Sequence, residues 1–290
     1  MLSVLQNLLT ELEQDRCLDG PDRLRQRIEA LDRLEVHFPQ DEIAGSEGEA
    51  ELHRRARAVQ ARLDAVNREL YQGIRSEIQH GAGQDRLLAW SRASGHDGYT
   101  LGQEDGDSYD YLDELVSGIL QLEQPDDMAV EVAPEMVFYQ PTPARVIFDL
   151  IERIELTTRD VLVDLGSGLG HVPLLAAICT DASCIGIELE AAYVDCAQRS
   201  ACALNLAQVA FVQQDARAAD FSSGTVFYLY TPFSGTILRA VLDSLRREAA
   251  SRAIRVCAFG PCTPIVAAEP WLVAVEPLKA YRVAIFRSRS

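Results

Sequence analysis

Along the chain the spacing of apolar residues changes once, from recurrence by threes and fours to short apolar runs alternating with helical stretches. Leu2, Leu5, Leu8, Leu9 and Leu12 fall on one helical face, and Asp19-Gly20-Pro21 opens a second helix with Leu24, Ile28, Leu31 and Leu34 inward. Residues 40–48 are polar, after which Ser46 and Glu49 make a capping box for a long helix to about His80. Its apolar positions Leu52, Ala56, Val59, Leu63, Val66, Leu70, Ile74 and Ile78 suit the core of a helical domain first, and a coiled-coil-like homodimer seam second. Helices are predicted over 85–93 and 108–122, the latter with Tyr111, Leu112, Leu115, Ile119 and Leu120 on its apolar side. Between them the glycine-rich polar stretch 94–107 reads as a disordered connection or as a lid over substrate. An acidic linker over 125–134 then closes an acidic helical domain at 1–133, for substrate shaping or oligomerisation, and a second domain occupies 134–290.

In that second domain strand and helix alternate. Pro143 opens a helix to about Glu155, with Val146, Ile147, Leu150, Ile151 and Ile154 inward. Strands are predicted at about 160–165, 183–188, 209–213, 224–230, 253–259, 271–276 and 280–287, and helices at about 171–179, 190–205 and 235–250. Such alternation implies a parallel sheet covered by helices on both faces. No helix fits between the last two strands, which should pair antiparallel at one edge. The fold class is therefore α/β, a Rossmann-like seven-stranded sheet preceded by an all-helical domain.

Val161 to Gly170 reads Val-Leu-Val-Asp-Leu-Gly-Ser-Gly-Leu-Gly, a buried strand that breaks into glycines at alternate positions before a helix begins at His171. Without a Cβ, glycine lets the chain take positive φ and lie against a ligand. A dinucleotide loop needs Gly-x-Gly-x-x-Gly, but here the last position is His171. Asp164, two residues before Gly166, would repel a pyrophosphate and can instead orient the ammonium of an amino-acid-bearing cofactor. The chemistry points to S-adenosylmethionine rather than NAD.

The run Asp164-Leu-Gly166-Ser167-Gly168-Leu-Gly170 resembles the first motif of class I S-adenosylmethionine-dependent methyltransferases. That resemblance implies that Glu188, closing Cys184-Ile185-Gly186-Ile187, binds both ribose hydroxyls with Leu189 beside it. It implies that Asp215, followed by Ala216, bonds the adenine amino group. Tyr139 and Thr142, in Tyr139-Gln-Pro-Thr142-Pro, are implied to fold over the methionine end. Within the class the sequence is most similar to the non-SET histone-lysine methyltransferases of the disruptor-of-telomeric-silencing type. That group has paired asparagines near the end of strand four, where this chain has Tyr230-Thr231, and basic segments where this chain is acidic. The antiparallel ending also distinguishes a methyltransferase sheet from a dinucleotide fold.

Charge narrows the acceptor. Net charge is -17, with 28 acidic and 13 basic residues in 1–133 against 16 and 14 in 134–290. Phosphate backbones are held by Lys and Arg, so nucleic acid is disfavoured and a small molecule or protein is expected. No apolar run approaches the ~20 residues of a membrane span, and the N-terminus lacks a basic leader, so a cytoplasmic protein is expected. The seven cysteines are odd in number, form no Cys-x-x-Cys pair and lie, six of them, in predicted core elements. They read as buried reduced thiols, and no metal site is expected.

Strand four ends Tyr228-Leu-Tyr230-Thr231-Pro232-Phe233, where class I methyltransferases keep the residues beside the transferring methyl group. Tyr230, Thr231, Pro232 and Phe233 are the substrate-binding candidates, with Tyr230 also the catalytic candidate and Tyr228 assigned to packing. His171 reads as a surface or capping residue. The expected function is methyl transfer from S-adenosylmethionine. The rival is a catalytically silent helical interaction protein with an S-adenosylmethionine-sensing domain, and a weaker one is an aminopropyltransferase.

Overall fold

The computed structural model describes residues 2–38, 47–96, 109–123 and 139–289. Ser46, the stretch 97–107 and the linker at 125–134 lie outside the described residues. Two compact units make up the chain, Met1–Ile74 and Arg75–Ser290.

The first unit holds α1 (Leu2–Gln14), α2 (Leu24–His37) and α3 (Glu47–Gln79) as far as Ile74. Leu9, Leu12, Leu34, Ala56, Val59 and Leu63 share one core, so much of the apolar stripe of α3 is covered within its own unit. The helical spacing misplaces two inward positions: Ile28 and Val66 are only half-buried, while Arg27 and Asn67 are buried. The two polar groups are bonded to each other. Arg27 Nε donates to Asn67 Oδ1 at 2.5 Å, and Nη1 donates to the carbonyls of Leu18 (2.9 Å) and Gly20 (2.5 Å). Carbonyl and amide oxygens thus replace part of the water that a buried guanidinium loses, and Arg27 Nη2 is left without a partner among the described residues.

The second unit opens with the last turn of α3, then α4 (Gln84–His96), α5 (Tyr111–Leu120) and α6 (Ala144–Ile154). The compact unit therefore begins at Arg75, ahead of the boundary expected at Pro134: α4 packs on α6 and α7, and α5 on α6. Strands and helices then alternate as β1 (Val161–Leu165), α7 (His171–Cys179), β2 (Ser183–Glu188), α8 (Ala191–Ala203), β3 (Val209–Gln213), β4 (Val226–Tyr230), α9 (Gly235–Ala249) and β5 (Arg255–Phe259). A short helix not foreseen from the sequence, α10 (Thr263–Ala267), precedes β6 (Leu272–Ala274) and β7 (Ala284–Ser288).

The sheet order is β3-β2-β1-β4-β5-β7-β6. The strands β1 to β5 run parallel, and β7 lies antiparallel between β5 and β6. This is the expected seven-stranded Rossmann-like sheet with its antiparallel pair at one edge. Chain direction across the sheet reverses between β1 and β4, and an open α/β sheet binds its ligand at the carboxyl ends beside such a reversal. Cys202 departs from its expected burial and is exposed on α8, as is Cys17 in the first unit. Among the described residues no helix is long and apolar enough to cross a membrane, and no group of three or more His, Cys, Asp and Glu is placed to hold a metal.

Candidate functional site

The strand β1 gives way to a turn in which Gly166, Gly168 and Gly170 take φ of 78°, 52° and 85°. The amides of Gly166 and Ser167 both donate to the Ile187 carbonyl, at 2.9 and 3.0 Å, and Gly170 N donates to Ser167 O at 2.8 Å. A Cβ on Gly168 would stand 2.0 Å from Tyr139 Cε2, and one on Gly166 would stand 2.3 Å from Pro232 Cβ. The Tyr139 segment and the end of β4 therefore close on the turn from two sides, at distances only glycine permits. Tyr139, the glycine turn and Pro232 come from three separate parts of the sequence and meet here.

Two buried carboxyl groups border the turn. Asp164 pairs in register with Gly186 on one side and Tyr228 on the other and is 3% exposed, while Glu188, at the end of β2, is 8% exposed. Glu188 Oε2 accepts from Gly168 N at 2.8 Å, and Oε1 accepts from Leu189 N (2.7 Å) and Glu190 N (3.0 Å). The residue expected to bind ribose is thus also the anchor of the glycine turn, which its position in the sequence does not reveal. Burial, and then the neighbouring Glu188 charge, push the Asp164 carboxyl well above the usual carboxylate range. Among the described residues neither carboxylate makes an ion pair, and the buried Ser167 Oγ has no hydrogen-bond partner. Such a set fits a polar ligand that brings its own positive charge.

Further along the strand ends, Leu189 is 42% exposed and Ala216 is buried. Asp215 is placed beside them but is engaged. Its oxygens accept from the Arg217 amide at 2.8 Å and from Arg217 Nε and Nη2 at 3.0 and 2.5 Å, which holds its carboxyl below the usual range. An adenine amino group would have to share Asp215 with Arg217 or displace it.

Thr142 and Tyr228 are hydrogen-bonded through their hydroxyls at 2.9 Å, both buried. Tyr228 therefore does more than pack: it fixes the segment that carries Tyr139, and the Thr142 hydroxyl is directed to it. The Tyr139 hydroxyl meets His171 Nδ1 at 3.1 Å. Burial pushes His171 down to about 4, so near pH 7 its ring is neutral, and Nδ1 shares one hydrogen bond with the Tyr139 hydroxyl. The expected surface role of His171 is corrected: the Tyr139 segment covers the start of α7 and leaves the imidazole half-buried. Tyr139 also packs on Tyr193, ring centroids 5.0 Å apart, in a small apolar cluster with Leu169, Cys196 and Leu122.

At the end of β4, Tyr230 is half-buried with its ring centroid 5.0 Å from that of Phe259. Thr231 has φ 41°, the left-handed region, where a β-branched residue is a genuine outlier. Its Oγ1 donates to Phe259 O (3.1 Å) and accepts from Cys262 N (3.0 Å), clipping β4 to the end of β5. The hydroxyl is turned to the backbone rather than towards an acceptor. Phe233, expected to bind substrate, is corrected as well. The chain turns inward after Pro232, and Phe233, 3% exposed, joins the core with Leu229 and Leu238.

Residues 134–225 match the family model described as histone methylation protein DOT1. The glycine turn, Glu188 and Asp215 fall inside that match, and Tyr230 falls outside it. Comparison with curated proteins finds no match. Among solved structures, the chain is similar to an RNA methyltransferase from Salinibacter ruber in complex with S-adenosyl-L-homocysteine, at 27% identity over 51% of this chain and 92% of that one, TM-score 0.40. It is similar to precorrin-6y C5,15-methyltransferase from Geobacter metallireducens, at 17% identity over 53% and 92%, TM-score 0.39. It is also similar to the tRNA (uracil-54, C5)-methyltransferase of Pyrococcus abyssi in complex with S-adenosyl-L-homocysteine, at 17% identity over 51% and 39%, TM-score 0.39. Scores this low add nothing to the strand order itself. The strand order is that of a Rossmann-like methyltransferase sheet, and residues 134–225 within it are similar to the DOT1 family.

Proposed function

We propose that the chain is an S-adenosylmethionine-dependent methyltransferase that modifies a basic protein. The observation that carries the cofactor is the buried pair Asp164 and Glu188 around a glycine turn, with no ion-paired cation beside it among the described residues. In this reading Asp164 faces the ammonium, and Ser167 Oγ bonds the amino-acid end. Glu188 holds the turn with three accepted bonds and turns its remaining lone pair to the ribose. Leu189 and Ala216 flank the adenine, Asp215 accepts from the adenine amino group alongside Arg217, and Tyr139 and Thr142 form the wall over the methionine end.

When bound, the cofactor supplies an electrophilic methyl carbon on a sulfonium. The protein's part is to align a desolvated acceptor in line with that carbon at near-attack distance, which needs no dedicated base when the acceptor arrives deprotonated. Tyr230, backed by Phe259, is the residue from the end of β4 that lines this approach, with Thr231 and Pro232 setting its backbone.

The acceptor class rests on charge. Between Arg92 and Arg145 the sequence contains no Lys or Arg and twelve Asp and Glu, and this stretch includes the Tyr139–Thr142 wall and α5. A run of one sign favours a partner of the other. The description of the matching family, histone methylation, agrees with a basic protein. The test is calorimetric titration with S-adenosylmethionine and S-adenosylhomocysteine, with NAD as control, followed by a labelled-methyl assay on basic proteins, small molecules and RNA. Label on the basic proteins alone supports the reading, and label on RNA or small molecules alone replaces the acceptor. Binding without any turnover favours the sensing role.

A further inference from the structure

Tyr139 and Thr142 reach the site on a segment that runs straight into α6, and the start of α6 converges with the start of α5 on one side chain. Asp113 Oδ1 accepts from Ala144 N, the first residue of α6, and Oδ2 accepts from Asp110 N at the cap of its own helix, both at 2.8 Å. One carboxylate thus serves two helix N-termini, where the unpaired amides and the partial positive charge both favour an anion. Tyr109 adds a second tie from the same end, its hydroxyl donating to Pro141 O at 2.7 Å. The other end of α5 is tied to α8: Ser200 Oγ donates to Leu120 O at 2.8 Å, and Leu122 packs in the cluster with Leu169 of the glycine turn. The strap formed by 109–123 therefore joins the two walls of the cofactor site.

We propose that Asp113 is a positioning residue for the cofactor: by capping α6 as well as α5, it sets where Tyr139 stands on Gly168. The proposal rests on the cofactor reading above. Burial brings the Asp113 carboxyl up to about 6 against the bonds it accepts from the Ala144 and Asp110 amides, which lower it; the Asp110 charge adds to the rise and Arg145 on α6 opposes it. Protonation converts one acceptor oxygen into a donor that faces an amide N–H, so the double cap loosens as pH falls through about 6.

The experiment is calorimetric titration of the full chain with S-adenosylhomocysteine between about pH 5 and 8, for wild type, Asp113→Asn and Ala144→Pro. Asn places an NH2 against one of the two amides. Pro removes the α6 amide at a first-turn position that proline suits, behind a residue already extended (Pro143, ψ 136°), and adds ring atoms at a buried position, so its melting temperature is recorded alongside. Both variants should bind about tenfold more weakly at pH 8. Wild-type affinity should fall as pH drops through about 6, and that step should be absent in both variants. Asp164 titrates in all three proteins, so the difference between profiles isolates Asp113. If Asp113→Asn does not fold, Ala144→Pro decides alone. A wild type that binds nothing overturns the cofactor reading. A wild type that binds, with variants matching its affinity and its pH profile, overturns the positioning role.

Discussion

The Glu188 carboxylate and the Gly168 amide meet at 2.8 Å, joining the end of β2 to the middle of the glycine turn. Because the same carboxylate also accepts from Leu189 N and Glu190 N, Glu188→Ala leaves three amides without an acceptor. Partial rehydration softens that loss, so the expected destabilisation is about 2–3 kcal/mol, with S-adenosylhomocysteine affinity reduced at least about tenfold. Glu188→Gln keeps one accepting oxygen and should lose less of both. Thermal unfolding and calorimetry read the two effects, and an unchanged melting temperature in Glu188→Ala would remove the anchor from the account.

Asp164 predicts a conflict between stability and function. Its carboxyl is raised above the ordinary 3.8, so the folded chain holds that proton more tightly than the unfolded chain does. The stability associated with this group is full below about pH 4 and is lost as pH rises through the folded-state value. Asp164→Asn removes the buried charge, and without cofactor it should melt higher than wild type at pH 8 while binding S-adenosylhomocysteine roughly tenfold or more weakly. A variant that melts lower and binds normally would contradict both halves.

Gly168→Ala places a Cβ 2.0 Å from the Tyr139 ring at φ 52°. Either the ring or the turn has to move, at a cost of about 1–3 kcal/mol. Tyr139→Ala in the same chain removes the clash but not the backbone strain, so it should restore part of the melting temperature and little of the cofactor affinity. Full additivity of the two substitutions would mean that ring and turn do not touch.

Thr231→Val keeps the shape and the unfavourable φ but deletes the hydroxyl that bonds Phe259 O and Cys262 N. Loss of both bonds should destabilise the chain by about 2 kcal/mol and lower its melting temperature by several degrees. Thr231→Ser, which keeps the clip, should remain close to wild type. Equal melting temperatures for the two variants would show that the clip contributes nothing.

For Tyr230→Phe the expected loss is in turnover rather than in S-adenosylhomocysteine affinity, once an acceptor is in hand. If both are unchanged, Tyr230 belongs with the packing residues.

The sheet was legible because each buried parallel strand is a short apolar run and each break in period marks an end. The glycine turn was legible because alternate glycines after such a strand have few other uses. Side-chain partners were not legible. Helical spacing favoured Ile28 and Val66 over Arg27 and Asn67, since two polar groups that bond to each other look, singly, like surface residues. Thr142 with Tyr228, and Tyr139 with His171, pair residues 86 and 32 positions apart, a relationship no local pattern encodes. Phe233 was misjudged for a related reason: a single turn after Pro232 reverses which side of the chain faces the core. The domain boundary followed composition, whereas α4 and α5 joined the second unit through packing.

The placement of β7 between β5 and β6 bears on how the protein is made. A ribosome delivers β6 before β7, yet among the described residues β6 bonds to no strand but β7. During synthesis β6 must therefore wait, while β5 carries an open edge that the later strand will cover. The five parallel strands, with the glycine turn and both buried carboxyl groups, emerge earlier, and the core they share with Leu272, Ala284 and Phe286 closes last. Assembly of the nascent chain should thus begin at the ligand end and finish by insertion, like a drawer sliding between two panels.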